Sequence, residues 1–118
     1  KPGMTLYGRG PNSLHQIAAN YLNTHGKDLH GEPLGKDFIH GIGHSVGLDV
    51  HDLSDGTLEL QPGMVLAIEP GLYLPEENIG VRIEDNVLVT KDGCEVLTKR
   101  LPSDPDEVEK WMQDRGIH

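Results

Sequence analysis

The sequence predicts an α+β domain in which helices lie on one face of a curved, largely antiparallel sheet. Three observations carry that reading: an early amphipathic helical pattern, a run of short strand-like segments after it, and a second amphipathic segment at the end. Helix, several strands, helix is the order of that class.

The first helix is read from Leu14, Ile17, Ala18, Tyr21 and Leu22, which recur at i, i+3, i+4 spacing and so share one face. Ser13 and Gln16 form a capping box before it, and Gly26 is its stop. The stretch "HGKDLHGEPLGKD" reads as loop. Strand signals then dominate in "FIHGIGH", "VGLDVH", "MVLAIEPGLYL", "GVRIEDNVLVT" and "CEVLTK", all short and rich in β-branched or aliphatic residues. "QPGM" and "KDGC" are turn chemistry between them. At the end, Asp104 or Ser103 supplies an N-cap, Pro105 the first helical position and Gly116 the stop. Val108, Trp111 and Met112 form the apolar stripe, which reads as packing rather than partner binding. With no repeat and no low-complexity block, residues 1–118 form one compact unit.

Ten basic against nineteen acidic residues leave a formal charge of -9, which disfavours nucleic acid and anionic membrane as partners, both being polyanions. No run is long and apolar enough to span a bilayer. The single cysteine, Cys94, excludes an intrachain disulfide, agrees with a reducing cytoplasm, and is expected at a strand start or on the surface. Because "KPGMTLY" reads as mid-domain sequence without initiator methionine, signal or transit peptide, further sequence upstream is expected.

"HGIGHSVGLDVHD" holds His40, His44 and His51. A four-residue step between histidines invites comparison with the helical HExxH zinc motif, but Gly41, Gly43 and Gly47 would each cost a helix roughly 1 kcal/mol relative to alanine. The segment is therefore extended or irregular. In "MVLAIEPG" alternation places Met64, Leu66 and Ile68 on one face and Val65, Ala67 and Glu69 on the other. In "GVRIEDNVLVT" it places Arg82 and Glu84 together, away from Val81 and Ile83. A carboxylate among apolar strand residues needs neutralisation or coordination. An ion pair at a strand end is one answer. Two such glutamates beside a histidine-rich glycine segment point instead to a metal site using His44, Glu69 and Glu84. Such a nitrogen and oxygen set suits Mn²⁺, Co²⁺, Fe²⁺ or Zn²⁺ better than the sulfur-rich set of structural zinc. Asp49 and Asp52 orient His51 or face solvent; His15, His25, His30 and His118 are expected to face solvent.

"HGIGHSVGLDVHD", "EPGLYLP" and "GVRIEDNVLVT", in this order, closely resemble the C-terminal metal-binding motifs of the pita-bread metallopeptidases, and among these the Xaa-Pro aminopeptidases (aminopeptidase P) and prolidases. The resemblance runs over nearly the whole chain and covers only the C-terminal half of that family's catalytic domain. It implies the corresponding half of the pita-bread fold and, in the intact enzyme, two divalent ions, with Mn²⁺ foremost and Co²⁺, Zn²⁺ or Fe²⁺ as alternatives. By resemblance, His44 ligates one ion, Glu84 bridges both, and Glu69 binds metal and serves as general base. His40 and His51 hold the substrate and stabilise the tetrahedral intermediate; Arg82 stands behind the ligands or beside the substrate. The implied substrate is a peptide with proline in second position.

The resemblance also implies two aspartate ligands upstream of everything present, since Asp28 and Asp37 lie in loop-like sequence. The chain alone is then expected to bind metal weakly or singly and to hydrolyse little. The competing expectation, from another class, is a non-catalytic half-domain that associates with a second copy through a bare sheet edge.

Overall fold

The computed structural model describes residues 1–49 and 55–117. It contains helix α1 (Leu14–His25), strands β1 (Gly43–Ser45), β2 (Val65–Ile68), β3 (Gly71–Leu74), β4 (Ile79–Arg82), β5 (Asp85–Val89) and β6 (Cys94–Val96), and helix α2 (Pro105–Asp114). All strand pairings are antiparallel: a four-stranded sheet in the order β1-β2-β5-β6 and a two-stranded sheet of β3 and β4. The α+β reading of the sequence holds.

Both helices form where local chemistry sets them. The Ser13 hydroxyl accepts from the Gln16 N–H at the start of α1, satisfying a donor that has no partner inside the helix. Asp104 does the same for Asp106 and Glu107, with Pro105 supplying the fixed φ of a first helical position. α2 ends in a left-handed Gly116, with the Ile117 N–H bonded to the Met112 carbonyl and the Gly116 N–H to that of Gln113. Sequence periodicity missed two single-turn 3-10 helices, Leu34–Asp37 and Pro75–Glu77. Each is too short to show a period.

Leu6, Phe38, Ile42, Leu60, Leu66 and Val89 make the buried core, and Leu14, Ala18, Ala19 and Leu22 of α1 pack against it. The alternation read from "MVLAIEPG" is thus correct: Leu66 and Ile68 face this core, and Ala67 faces the other side.

Three expectations need correction. "MVLAIEPGLYL" and "GVRIEDNVLVT" are each broken into two strands, at Glu69-Pro70 and at Ile83-Glu84. Pro70 has no N–H to give a ladder, so pairing stops there and resumes beyond. Of "FIHGIGH" only its end is strand, and no strand is assigned in 46–49; the rest of "VGLDVH" lies outside the described residues. His15 does not face solvent. Its ring stacks on Phe38 with centroids 4.8 Å apart and lies 6.1 Å from Tyr7, because its place on α1 turns it toward the core. His25 and His30 are exposed as expected, and His118 lies outside the described residues. Cys94 is exposed at the start of β6. Among the described residues no helix is long and apolar enough to cross a membrane.

Candidate metal centre

The register across the broken hairpin builds the site. Ile68 pairs with Asp85 on one side of the break and Gly71 with Arg82 on the other, so the offset is unchanged and Glu69 stands opposite Glu84. Residue parity then puts Ala67, Glu69, Gly71 and Tyr73 on the same face as Gly80, Arg82, Glu84 and Asn86. On the edge strand β1, His44 pairs with Ala67, which in turn pairs with Asn86. A histidine from β1 and two glutamates from the break therefore look onto one side of the sheet. An open cleft of about 600 Å³ lies there, lined by His44, Ala67, Glu69, Arg82, Glu84 and Asn86 among others.

The glycines that spoil a helix make this strand pairing feasible. A Cβ on Gly43 would overlap the Ala67 carbonyl and lie 3.3 Å from the Ile68 Cα, both backbone atoms of β2. Only glycine lets β1 come this close.

His44 is held with its ring in one orientation. Nδ1 lies 3.0 Å from the Ser45 carbonyl, which can only accept, so Nδ1 carries the proton and donates. Nε2 lies 3.4 Å from Glu69 Oε1. In the neutral ring Nε2 is an acceptor, as is the carboxylate, so the pair presents two sets of lone pairs side by side. Arg82 Nε lies 3.8 Å from Glu69 Oε2. Glu69 is mostly buried, its side chain 17% accessible, whereas Glu84 is exposed at the cleft mouth. Embedding among aliphatic residues thus holds for Glu69 and not for Glu84. Two carboxylates facing each other across a strand pair repel unless a positive charge lies near them.

His40 does not line this cleft but lies next to it, over Gly71, where a Cβ would meet its Nε2. Its Nδ1 donates to the Gly41 carbonyl at 2.8 Å, and its Nε2 accepts from the Tyr73 hydroxyl at 2.9 Å. Phe38 meets the ring edge-on, with centroids 5.3 Å apart. The structure brings His44, Glu69, Arg82 and Glu84 together and leaves His40 on Tyr73; His51 lies outside the described residues. Tyr73 went unread in the sequence, although parity with Glu69 and Gly71 puts it on the same face. Asp49, read as an orienting or solvent residue, lines the cleft.

Histidine and carboxylate side chains gathered on one face of an antiparallel sheet are donor types that suit divalent cations. The chain belongs to Metallopeptidase family M24, which matches it over residues 1–91. It is 53% identical over 91 residues to Xaa-Pro aminopeptidase 1 of Streptomyces coelicolor, covering 63% of this chain and 18% of that protein. Its fold is similar to aminopeptidase P from E. coli with the inhibitor Pro-Leu (TM-score 0.68, 31% identity, 97% of this chain and 30% of that one). It is also similar to the prolidase from Pyrococcus furiosus (TM-score 0.67, 38% identity, 88% and 27%). The chain spans about a fifth of the length of the curated relatives it matches. The pita-bread fold expected from the motifs is the fold of these neighbours.

Membership in a metallopeptidase family implies divalent ions, and the donors can be tested for fit. Two donor atoms each about 2.1 Å from one ion lie about 3.0 Å apart at the right angle of a six-coordinate site and about 3.4 Å apart at a tetrahedral angle. The His44–Glu69 separation is 3.4 Å. Ring orientation also fits, since metal-binding histidines commonly donate their other N–H to a carbonyl. Among the described residues, however, no three His, Cys, Asp or Glu side chains converge tightly enough to enclose an ion. The pair's separation falls within reach of one ion, and Glu84 stands opposite Glu69 across the break.

Proposed function

We propose that the chain contributes metal ligands to an Xaa-Pro aminopeptidase, as the C-terminal half of its catalytic domain. The observation that carries this is His44 Nε2 facing Glu69 with Glu84 opposite in one cleft. His44, Glu69 and Glu84 would hold the ions, Mn²⁺ foremost, and two aspartates from upstream sequence would complete the set. When bound, the ions acidify water and polarise the scissile carbonyl. The rest falls to this chain's residues. Glu69 takes the proton from the attacking water and delivers it to the imino nitrogen of the leaving proline. Arg82, with its Nε 3.8 Å from Glu69 Oε2, stands behind that carboxylate or beside the substrate. His40 and His51 hold the substrate, a peptide with proline second, and stabilise the tetrahedral intermediate. Cytoplasmic residence is part of the proposal.

The test is titration of the chain with Co²⁺ and Mn²⁺, followed calorimetrically, with assay of a Xaa-Pro peptide. Weak binding, abolished by H44A and E69Q and reduced by E84Q, with little turnover, is expected. Robust turnover, or binding indifferent to all three changes, refutes the reading.

Two other readings have an observation each. Similarity to the Pyrococcus furiosus prolidase favours dipeptidase specificity, which comparing dipeptide with longer Xaa-Pro substrates in a full-length enzyme separates. Ile79, Val81 and Ile83, 44–53% exposed on one face of the β3–β4 arm, favour a half-domain that self-associates. Sedimentation as a monomer excludes that.

A further inference from the structure

We propose that Tyr7 is a positioning residue for His44, acting by closing the free edge of the strand that carries it. The inference rests on the metal reading above only for what His44 is held in place to do.

Among the described residues β1 is at the edge of its sheet, with a strand partner on one side only. The Ile42 carbonyl accepts from the Glu69 N–H at 2.8 Å and the Val46 N–H donates to the Val65 carbonyl at 3.1 Å. By the two-residue alternation of an antiparallel ladder, Ile42, His44 and Val46 face β2, and Gly43 and Ser45 turn their backbone groups outward. Both outward carbonyls are taken by side chains. The Ser45 carbonyl receives the His44 Nδ1–H, and the Gly43 carbonyl receives the Tyr7 hydroxyl from 36 residues away. The Gly43–His44 peptide and the Ser45–Val46 peptide, one on either side of His44, are therefore fixed at their outer oxygens.

The ring of Tyr7 adds a steric clamp. A Cβ on either Gly41 or Gly56 would overlap it, and its own N–H donates to the Gly56 carbonyl at 2.9 Å. Gly41 precedes and Gly56 follows the segment containing His44 and His51, so one side chain grips both ends of that segment. Among the described residues, the bond to the Gly43 carbonyl is what distinguishes a tyrosine from a phenylalanine at this place.

The experiment uses the labelled 118-residue chain and its Y7F and Y7A variants. Y7F keeps the ring against both glycines and removes only the hydroxyl. Expected in Y7F are about fivefold faster amide exchange at Val46 and Glu69, the size of one lost hydrogen bond, with Leu97 beyond β5 unchanged. The His44 ring nitrogen resonances shift, and the Co²⁺ dissociation constant rises about fivefold. Y7A shows larger changes in all of these. Loss of protection at Leu97 as well in Y7F means general loosening and overturns the proposal. So do unchanged His44 resonances, or Co²⁺ affinity equal to that of the unaltered chain. If the unaltered chain binds no Co²⁺, the metal reading fails, and the His44 resonances with the Val46 and Glu69 amides alone decide the role of Tyr7.

Discussion

Replacing Gly43 by alanine tests whether the close approach of β1 to β2 is what builds the site. The added Cβ would overlap the Ala67 carbonyl oxygen and sit 3.1 Å from its carbon and 3.3 Å from the Ile68 Cα. All three atoms are backbone of a strand paired on both sides, so no side chain can swing away. Relief requires β1 to lift, loosening the bonds at Ile42, His44 and Val46. Overpacking of this kind costs about 1–3 kcal/mol. Each weakened ladder bond adds roughly 0.5–1.5 kcal/mol. A total near 3 kcal/mol is a large share of the roughly 5–15 kcal/mol that a domain possesses. At roughly 4 °C per kcal/mol for a chain this long, Tm falls by about 10 °C. Thermal melting by circular dichroism measures it, with G93A as reference because its Cβ meets nothing nearer than 4.0 Å. Should G43A melt within about 2 °C of G93A, on the same scale, the close-approach argument is wrong.

Three further outcomes follow from groups that do not line the cleft. Asp28 accepts from Lys36 and from the Glu32 and His30 N–H groups, which lower its pKa from 3.8 to about 2. The stability it contributes is present above 3.8 and is lost as pH falls from there through about 2. D28N should flatten the acid limb of a melting-versus-pH curve in that window, by a small amount because the partner Lys36 is half-exposed. Carboxyl titration near 3.8 in the unaltered chain contradicts this. His30 behaves with opposite sign: Glu76, 2.6 Å away, raises its pKa, so its contribution is full below 6.5 and disappears as pH rises through the folded value. Thr98 donates to Asp85 and accepts from the Asn86 N–H at 3.2 Å, anchoring the strand that follows Glu84. T98V should cost about 1–3 kcal/mol in urea unfolding, with T98S close to the unaltered chain. An equal loss in both variants removes the hydrogen-bond explanation.

The helices were legible in the sequence because Ser13, Asp104 and Pro105 announce their starts and an apolar stripe runs along each. Parity correctly put Glu69 on the face opposite Leu66, since a two-residue period needs no knowledge of partners. What could not be read was where one strand becomes two. Pro70 marks the break in its own strand, yet Ile83 and Glu84 break only because they face it. Burial of Glu84 was overestimated for a related reason: apolar neighbours in sequence say which residues alternate, not whether anything covers their face. His15 went wrong because a lone imidazole on a helix carries no sign of Phe38 waiting beside it. Tyr7 was invisible because its meaning depends on Gly41, Gly43 and Gly56, none adjacent to it in sequence.

Because Pro70 interrupts the ladder between two intact sets of pairings, Glu69 and Glu84 stand at a joint between two small sheets rather than inside either one. The same proline that ends one strand thus leaves both carboxylates where the ladder no longer dictates the backbone.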